Sequence, residues 1–219
     1  MPEQSWVMQE PSSRAWIRLP SGAALDLINP SPEAWTDEDL AKRLARTSRW
    51  GGESIWEWPL SVAQHSLLVL ALRREWAETP LTAGEQLAEL LHDAEEGFLG
   101  FDCISPLKRV LGQPFRDVAG RLMDAVTVRY GLPDWTPASH REHKRADSIA
   151  AASEAVHCTG WSRVEVRDVL QIEFPVLEID PLVASYGGRA WEPWPSELAS
   201  QRFLEELRRL LIPARTGRR

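Results

Sequence analysis

Four residues of this 219-residue chain have side chains that could together hold one divalent cation, in the order His65, His92-Asp93, Asp147. An imidazole and a carboxylate side by side near a helix end can both reach one ion. Asp147 is followed by Ile149, Ala150, Ala151 and Ala152, a face that reads as buried, where a carboxylate without a cation or donors is costly. His65 borders an apolar helical stripe of Leu68, Val69, Leu72 and Trp76. Two imidazoles and two carboxylates give mixed N/O ligation with two formal negative charges. That set suits Mn²⁺, Co²⁺, Fe²⁺, Ni²⁺ or Mg²⁺ with open positions for water and substrate better than a closed structural zinc. Taken singly, Asp147 has a plainer reading as half of a salt bridge, and His65 as a hydrogen-bonded core histidine.

The neighbours of these residues narrow the reading. They include Arg49-Trp50, Ser61-Val62-Ala63-Gln64-His65-Ser66, Leu91-His92-Asp93-Ala94-Glu95-Glu96, Pro106-Leu107-Lys108-Arg109 and Lys144-Arg145-Ala146-Asp147. With these motifs the chain, over roughly residues 25 to 160, resembles the HD-domain metal-dependent phosphohydrolases, and among them the YfbR/YfdR-type bacterial 5′-nucleotidases. The resemblance implies an all-α HD-domain helical bundle with one divalent metal held by His65, His92, Asp93 and Asp147. It also implies that Arg49 contacts phosphate, that Glu96 assists catalysis beside Asp93, and that Asp102 lines the sugar or phosphate pocket. Gly100-Phe101-Asp102 carries one residue more than the family's usual spacing, so Asp102 is where the chain departs from the pattern.

Physical chemistry supports two of these roles separately. On a continuous helix Glu96, at i+3 from Asp93 and i+4 from His92, shares their face. There it can orient or deprotonate a water, or return a proton to the leaving oxygen, a contribution of about 10²–10⁴-fold. Its plainer reading is an exposed helix-end carboxylate. The planar guanidinium of Arg49 donates two parallel charge-assisted bonds to a phosphate, where a lysine offers a point charge; the alternative is one more surface arginine among Arg43, Arg46 and Arg49. Lys108 and Lys144 are candidate supporting cations, and Trp50 a candidate wall against the nucleoside sugar. His143, at i−4 from Asp147, could replace a ligand, but the family pattern does not use it, so His140 and His143 are expected to be solvated.

These side chains need a scaffold. Residues 16–19 and 23–27 around Pro20-Ser21-Gly22 predict a β-hairpin, within an N-terminal extension over residues 1–35. A helical bundle is expected over 36–212 and a frayed tail over 213–219, with no internal domain boundary. Thr36 caps a helix with Asp37, Glu38 and Asp39 in its first turn, expected to run to about Arg49 before Gly51-Gly52. Those acids are helix-start residues and not the D-x-D of an aspartyl-phosphate phosphatase, because no apolar strand precedes them. Further helices are expected from Ser61 to about Ala77, from the Thr82-x-x-Glu85 capping box to Gly97, over Phe115–Tyr130, and from Pro137 to about His157. Residues 160–194, rich in Pro and Trp, read as irregular, and a last helix follows Pro195 with Leu198, Leu204, Leu207 and Leu211 inward.

Composition excludes several functions. Hydrophobic residues make up 43% and charged ones 26%, as in soluble globular proteins. Asp and Glu outnumber Lys and Arg by 32 to 25, which argues against a nucleic-acid polymer or an anionic membrane as partner, since both demand a basic surface. Met1-Pro2-Glu3-Gln4 opens no targeting segment, and the longest apolar run, residues 67–72, is far short of the ~20 residues of a membrane span. Cys103 and Cys158 are too few for a disulfide framework, and a cytoplasmic location is expected.

The leading expectation is therefore a metal-dependent phosphomonoesterase for (deoxy)nucleoside 5′-monophosphates. The alternatives are an HD-type nucleoside triphosphate (dNTP) phosphohydrolase and a non-catalytic HD-scaffold binding protein. A second-messenger hydrolase is disfavoured because its additional motifs are missing. A homodimer is implied by resemblance alone.

Overall fold

A computed structural model describes residues 15–216 of the chain; the remainder of the predicted N-terminal extension, including Met1–Gln4, and the last three residues of the predicted tail lie outside the described residues. The architecture is all-α with a small N-terminal β-hairpin. Strands β1 (Trp16–Arg18) and β2 (Ala24–Asp26) pair antiparallel with Ile17 opposite Leu25. They are followed by α1 (Asp37–Arg46), α2 (Val62–Trp76), α3 (Ala83–Leu90), α4 (Ala94–Leu99), α5 (Ser105–Tyr130), α6 (Pro137–Thr159), α7 (Arg163–Asp168), α8 (Pro181–Tyr186) and α9 (Ser196–Thr216).

Local sequence explains most helix starts. Thr36 and Asp39 form a reciprocal capping box on α1, and Thr82 and Glu85 form another on α3. Asp39 also accepts from the Ser21 amide at 2.7 Å, fastening the hairpin turn to α1. The hairpin adds Leu19 and Leu25 to the core beside Trp35. Helix α2 is the axis of the molecule: every residue from Val62 to Leu70 is buried, where a single apolar stripe was expected. It packs against α1, α3, α6, α8 and α9, so no side of its first half meets water.

Several boundaries differ from expectation, each for a local reason. Helix α1 stops at Arg46, and residues 47–49 run extended beside the start of α2: the Val62 amide donates to the Thr47 carbonyl and the Arg49 amide to that of Leu60. The helix expected from Thr82 to Gly97 is two helices, because the chain leaves helical geometry at Leu91 and Asp93 (ψ 12° and 27°). Gly97 lies inside α4, where a Cβ would fall 3.0 Å from the Leu44 side chain and 3.2 Å from its backbone nitrogen. That glycine is the point of close approach between α1 and α4. Helix α5 begins at Ser105, ten residues before the expected start, with a kink at Gly112 (φ 73°, ψ −155°) two residues ahead of Pro114. Such a backbone is open to glycine alone, and the proline removes a helical donor.

Residues 160–194 carry two short helices, α7 and α8, and fasten to the core through polar contacts. Gln64 of α2 donates to the Glu192 carbonyl at 3.1 Å and accepts from the Trp194 amide at 2.8 Å. Trp191 stacks on His157, ring centroids 4.5 Å apart. Helix α9 continues to Thr216, past the expected end at 212. Cys103 and Cys158 are buried free thiols, and no helix among the described residues is long and apolar enough to cross a membrane.

Candidate metal centre and anion pocket

Three elements bring the four expected ligands together. His65 stands in the first turn of α2, and Asp147 in the middle of α6. His92 and Asp93 occupy the break between α3 and α4. On a continuous helix consecutive residues diverge by about 100°, so the break is what lets both side chains turn toward one point. His65 Nε2 lies 3.3 Å from Asp147 Oδ1 and 3.6 Å from Asp93 Oδ2. His92 Nε2 lies 3.1 Å from Asp93 Oδ2 and 3.3 Å from His65 Nε2.

These separations fit a small divalent cation. At metal–ligand distances of about 2.1 Å, neighbouring donors stand about 3.0 Å apart in an octahedron and about 3.4 Å apart in a tetrahedron. The outer nitrogens are already engaged: His65 Nδ1 meets Glu154 Oε1 at 2.6 Å, and His92 Nδ1 meets the Glu89 carbonyl at 2.8 Å. Since carbonyls and carboxylates only accept, both Nδ1 atoms donate, and the two Nε2 lone pairs face each other and two carboxylate oxygens. Donor atoms of His65, His92 and Asp147 lie within 4.8 Å of one another, with Asp93 beside the two imidazoles, and acceptors set this close require protons or a cation between them.

The electrostatics follow. Burial and Arg49 oppose protonation of His65, but Glu154 and Asp147 outweigh them and its pKa is pushed up to about 10. Burial likewise opposes protonation of His92, and Asp93 overcomes it, raising its pKa. Asp93 and Asp147 fall well below the usual carboxylate range, because the two histidines more than offset the cost of burial. Lys144 adds a half-exposed contact, Nζ 3.0 Å from Asp147 Oδ2. The salt-bridge and metal readings of Asp147 thus use different oxygens.

Beside this point lies a buried cluster of charges of mixed sign. Arg49 is buried, not one more surface arginine; Arg46 is exposed, and Arg43 is tied to the Gly97 and Phe98 carbonyls at 2.7 and 2.9 Å. Arg49 Nε donates to Glu154 Oε2 at 2.8 Å, and its Nη1 points toward Asp93 and Asp102, 3.9 and 3.8 Å away. Asp102 therefore belongs to the site despite the extra residue before it. Glu96 reaches the site from α4 and not from the helix face of His92 and Asp93. Its Oε1 accepts from Lys108 Nζ at 3.1 Å, and its buried Oε2 has no hydrogen-bond partner among the described residues. Burial, then the charges of Asp93 and Asp102, push its pKa up to about 9 against the pull of Lys108. Glu95, which sequence reasoning did not single out, is buried next to it and raised to about 7 by burial and Asp93.

Two expectations need correction. His143 is not solvated: it is buried and bonds Glu89 through Nδ1 at 2.8 Å, while Arg73 holds the other Glu89 oxygen at 2.6 Å. This packing satisfies a buried carboxylate, so His143 supports the wall behind His92, with rings 4.7 Å apart; His140 is exposed as expected. Trp50 is less a free wall than an anchored one. Its indole packs on the small cluster of Ala152, Ala155 and Val166 and donates to Glu154 Oε2 at 3.3 Å.

Glu154 is the functional-site residue that sequence reasoning missed. It lies seven residues after Asp147, two turns along the same face of α6. A carboxylate at that spacing in the run Ile149 to Ala155 was the available signal. Burial opposes its charge, but Arg49 and His65 hold its pKa down to about 2.

Fold and site together define an all-α protein with a histidine–aspartate centre of metal-binding geometry. The chain is 41% identical, over 167 residues, to an uncharacterized protein of Rhodobacter capsulatus, a match that covers 75% of this chain and 83% of that one. It belongs to the same family as that protein. No family model matches the chain.

Proposed function

We propose that this protein is a cytoplasmic, metal-dependent phosphohydrolase of the HD-domain type that hydrolyses (deoxy)nucleoside 5′-monophosphates. The observation that carries the reading is that donor atoms of His65, His92 and Asp147 lie within 4.8 Å of one another, with Asp93 Oδ2 3.6 and 3.1 Å from the two imidazole nitrogens and the buried guanidinium of Arg49 beside them. When bound there, a divalent cation supplies a Lewis acid that lowers the pKa of water and withdraws charge from a phosphoryl group.

The protein's residues do the rest. Arg49 aims Nη1 at the side where phosphate enters and offsets the charge that grows on its equatorial oxygens during transfer. Glu96 carries a proton at neutral pH and hands it to the ester oxygen as the P–O bond breaks and water oxygen bonds to phosphorus; the water's proton restores it. Lys108 holds Glu96 in place through Oε1, leaving Oε2 free to act. Asp102 offers an acceptor to a sugar hydroxyl, and Trp50 closes the pocket behind Arg49.

Phosphate release from a panel of nucleoside mono- and triphosphates, with Mn²⁺ or Co²⁺, tests the reading. Monophosphates are expected to be consumed by the wild type and not by Asp147→Ala, which also loses bound metal. Consumption of triphosphates alone would move the substrate to the dNTP class. Metal binding without turnover of any nucleotide would leave a binding protein and end the enzyme reading.

A further inference from the structure

Glu154 is not one of the four candidate ligands, yet it is bonded both to one of them, His65, and to Arg49 beside them. Its Oε1 takes the Nδ1 proton of His65 at 2.6 Å. Its Oε2 takes two donors, Arg49 Nε at 2.8 Å and Trp50 Nε1 at 3.3 Å. The carboxylate is 1% exposed, and the void adjoining it and His65 measures about 10 Å³, room for one water at most. Solvent offers no substitute for any of these three bonds.

Each bond fixes a different property. Donation from His65 Nδ1 sets the tautomer that leaves the Nε2 lone pair facing His92, Asp93 and Asp147. Capture of Arg49 Nε turns the terminal nitrogens of its guanidinium toward Asp93 and Asp102, where an anion would be held. Trp50 has a φ of 56°, an outlier for a bulky residue, and strained backbone persists where surroundings over-determine it. The indole bond to Glu154 is part of that restraint, and it fixes the backbone next to Arg49.

We infer that Glu154 is a positioning residue that locks the metal ligand His65 and the anion-binding Arg49 into one unit, so that metal affinity and phosphate affinity both depend on it. The inference rests on the metal-centre reading above, and its test uses binding and not turnover. A glutamine at 154 removes the negative charge that His65 and Arg49 share, and with one acceptor oxygen and one NH₂ group it must also present a donor to one side, so both contacts weaken. An aspartate keeps the charge but is one methylene too short to reach both.

Mn²⁺ binding, and inorganic phosphate binding to the Mn²⁺-loaded protein, should be measured for wild type, Glu154→Gln and Glu154→Asp, with folding checked by circular dichroism. Loss of such an outer partner costs about 10–100-fold in metal affinity. Both folded variants are expected to lose Mn²⁺ affinity in that range and to weaken phosphate binding at saturating Mn²⁺. If Glu154→Gln fails to fold, Glu154→Asp, which retains the buried charge, carries the test. If either folded variant keeps both affinities within about twofold of wild type, or loses one and keeps the other, the inference is overturned while the metal-centre reading stands. If the wild type itself binds no Mn²⁺, both fall together.

Discussion

His65 joins two kinds of partner through one ring. Nδ1 is held by Glu154, and Nε2 faces Asp147 at 3.3 Å. Because the surrounding carboxylates lift its pKa to about 10, the metal-free imidazole carries a proton at neutral pH on the atom that would ligate. A proton and a cation compete for that lone pair, so binding releases protons and affinity falls as pH drops. Mn²⁺ titrations between about pH 6 and 9 should show affinity rising with pH, and calorimetry in buffers of different ionisation enthalpy should detect proton release. An affinity that is flat over that interval would remove His65 and His92 from the ligand set. At Glu96 the same physics acts with the opposite sign of charge: burial and two neighbouring aspartates keep a carboxyl neutral, as a general acid requires.

Helix α4 and the end of α1 set where these side chains stand. Arg49 follows three residues after α1, and Asp93 immediately precedes α4, so the spacing of the two helices sets the distance from guanidinium to metal centre. Gly97 sets that spacing, with Leu44 packed where a Cβ would be. Gly97→Ala must separate the helices or distort Leu44, since α1 presents backbone as well as side chain there. Overpacking of this kind costs about 1–3 kcal/mol. Urea unfolding should show a lower midpoint with an unchanged slope; wild-type stability would mean that α1 and α4 do not meet as tightly as Gly97 implies. The Thr36 cap of α1 and the capping box of α3 were legible in the sequence because they are local patterns within four residues. The break at Leu91–Asp93 was not, since Leu87, Leu90, Leu91 and Ala94 keep helical periodicity across it and the packing of two separate helices produces the same buried positions.

Across the whole molecule, an acidic chain of net charge −7 places its carboxylates unevenly. Asp93, Asp102 and Asp147 stand near Arg49, Glu154 lies buried behind it, and Glu95 and Glu96 are pushed toward the neutral form beside Lys108. Without a divalent cation the carboxylates of Asp93, Asp102 and Asp147 oppose an entering phosphate; two like charges 4 Å apart at an effective dielectric of about 20 cost about 4 kcal/mol. Inorganic phosphate should therefore raise the unfolding temperature only when Mn²⁺ is present. A ligand at 100 times its Kd stabilises by about 2.7 kcal/mol, a shift readily seen in a thermal melt. Equal protection with and without Mn²⁺ would mean that the cationic groups suffice and that the acidic surround is not compensated by metal.

Ligand types, their order and the helix caps are properties of short stretches and legible in the sequence: donor atoms of His65, His92 and Asp147 lie within 4.8 Å of one another with Asp93 beside the two imidazoles, and α2, α6 and the hairpin lie close to where periodicity and turn residues put them. Packing settled the rest. Glu154 is 89 residues from His65 and 105 from Arg49; its spacing from Asp147 marks it as facing the site, but nothing local names His65 and Arg49 as its donors. His143 became a buried partner of Glu89, and residues 160–194 a strap around α2, for the same reason: a hydrogen bond between distant segments depends on how helices cross, and crossing is a property of the assembled core.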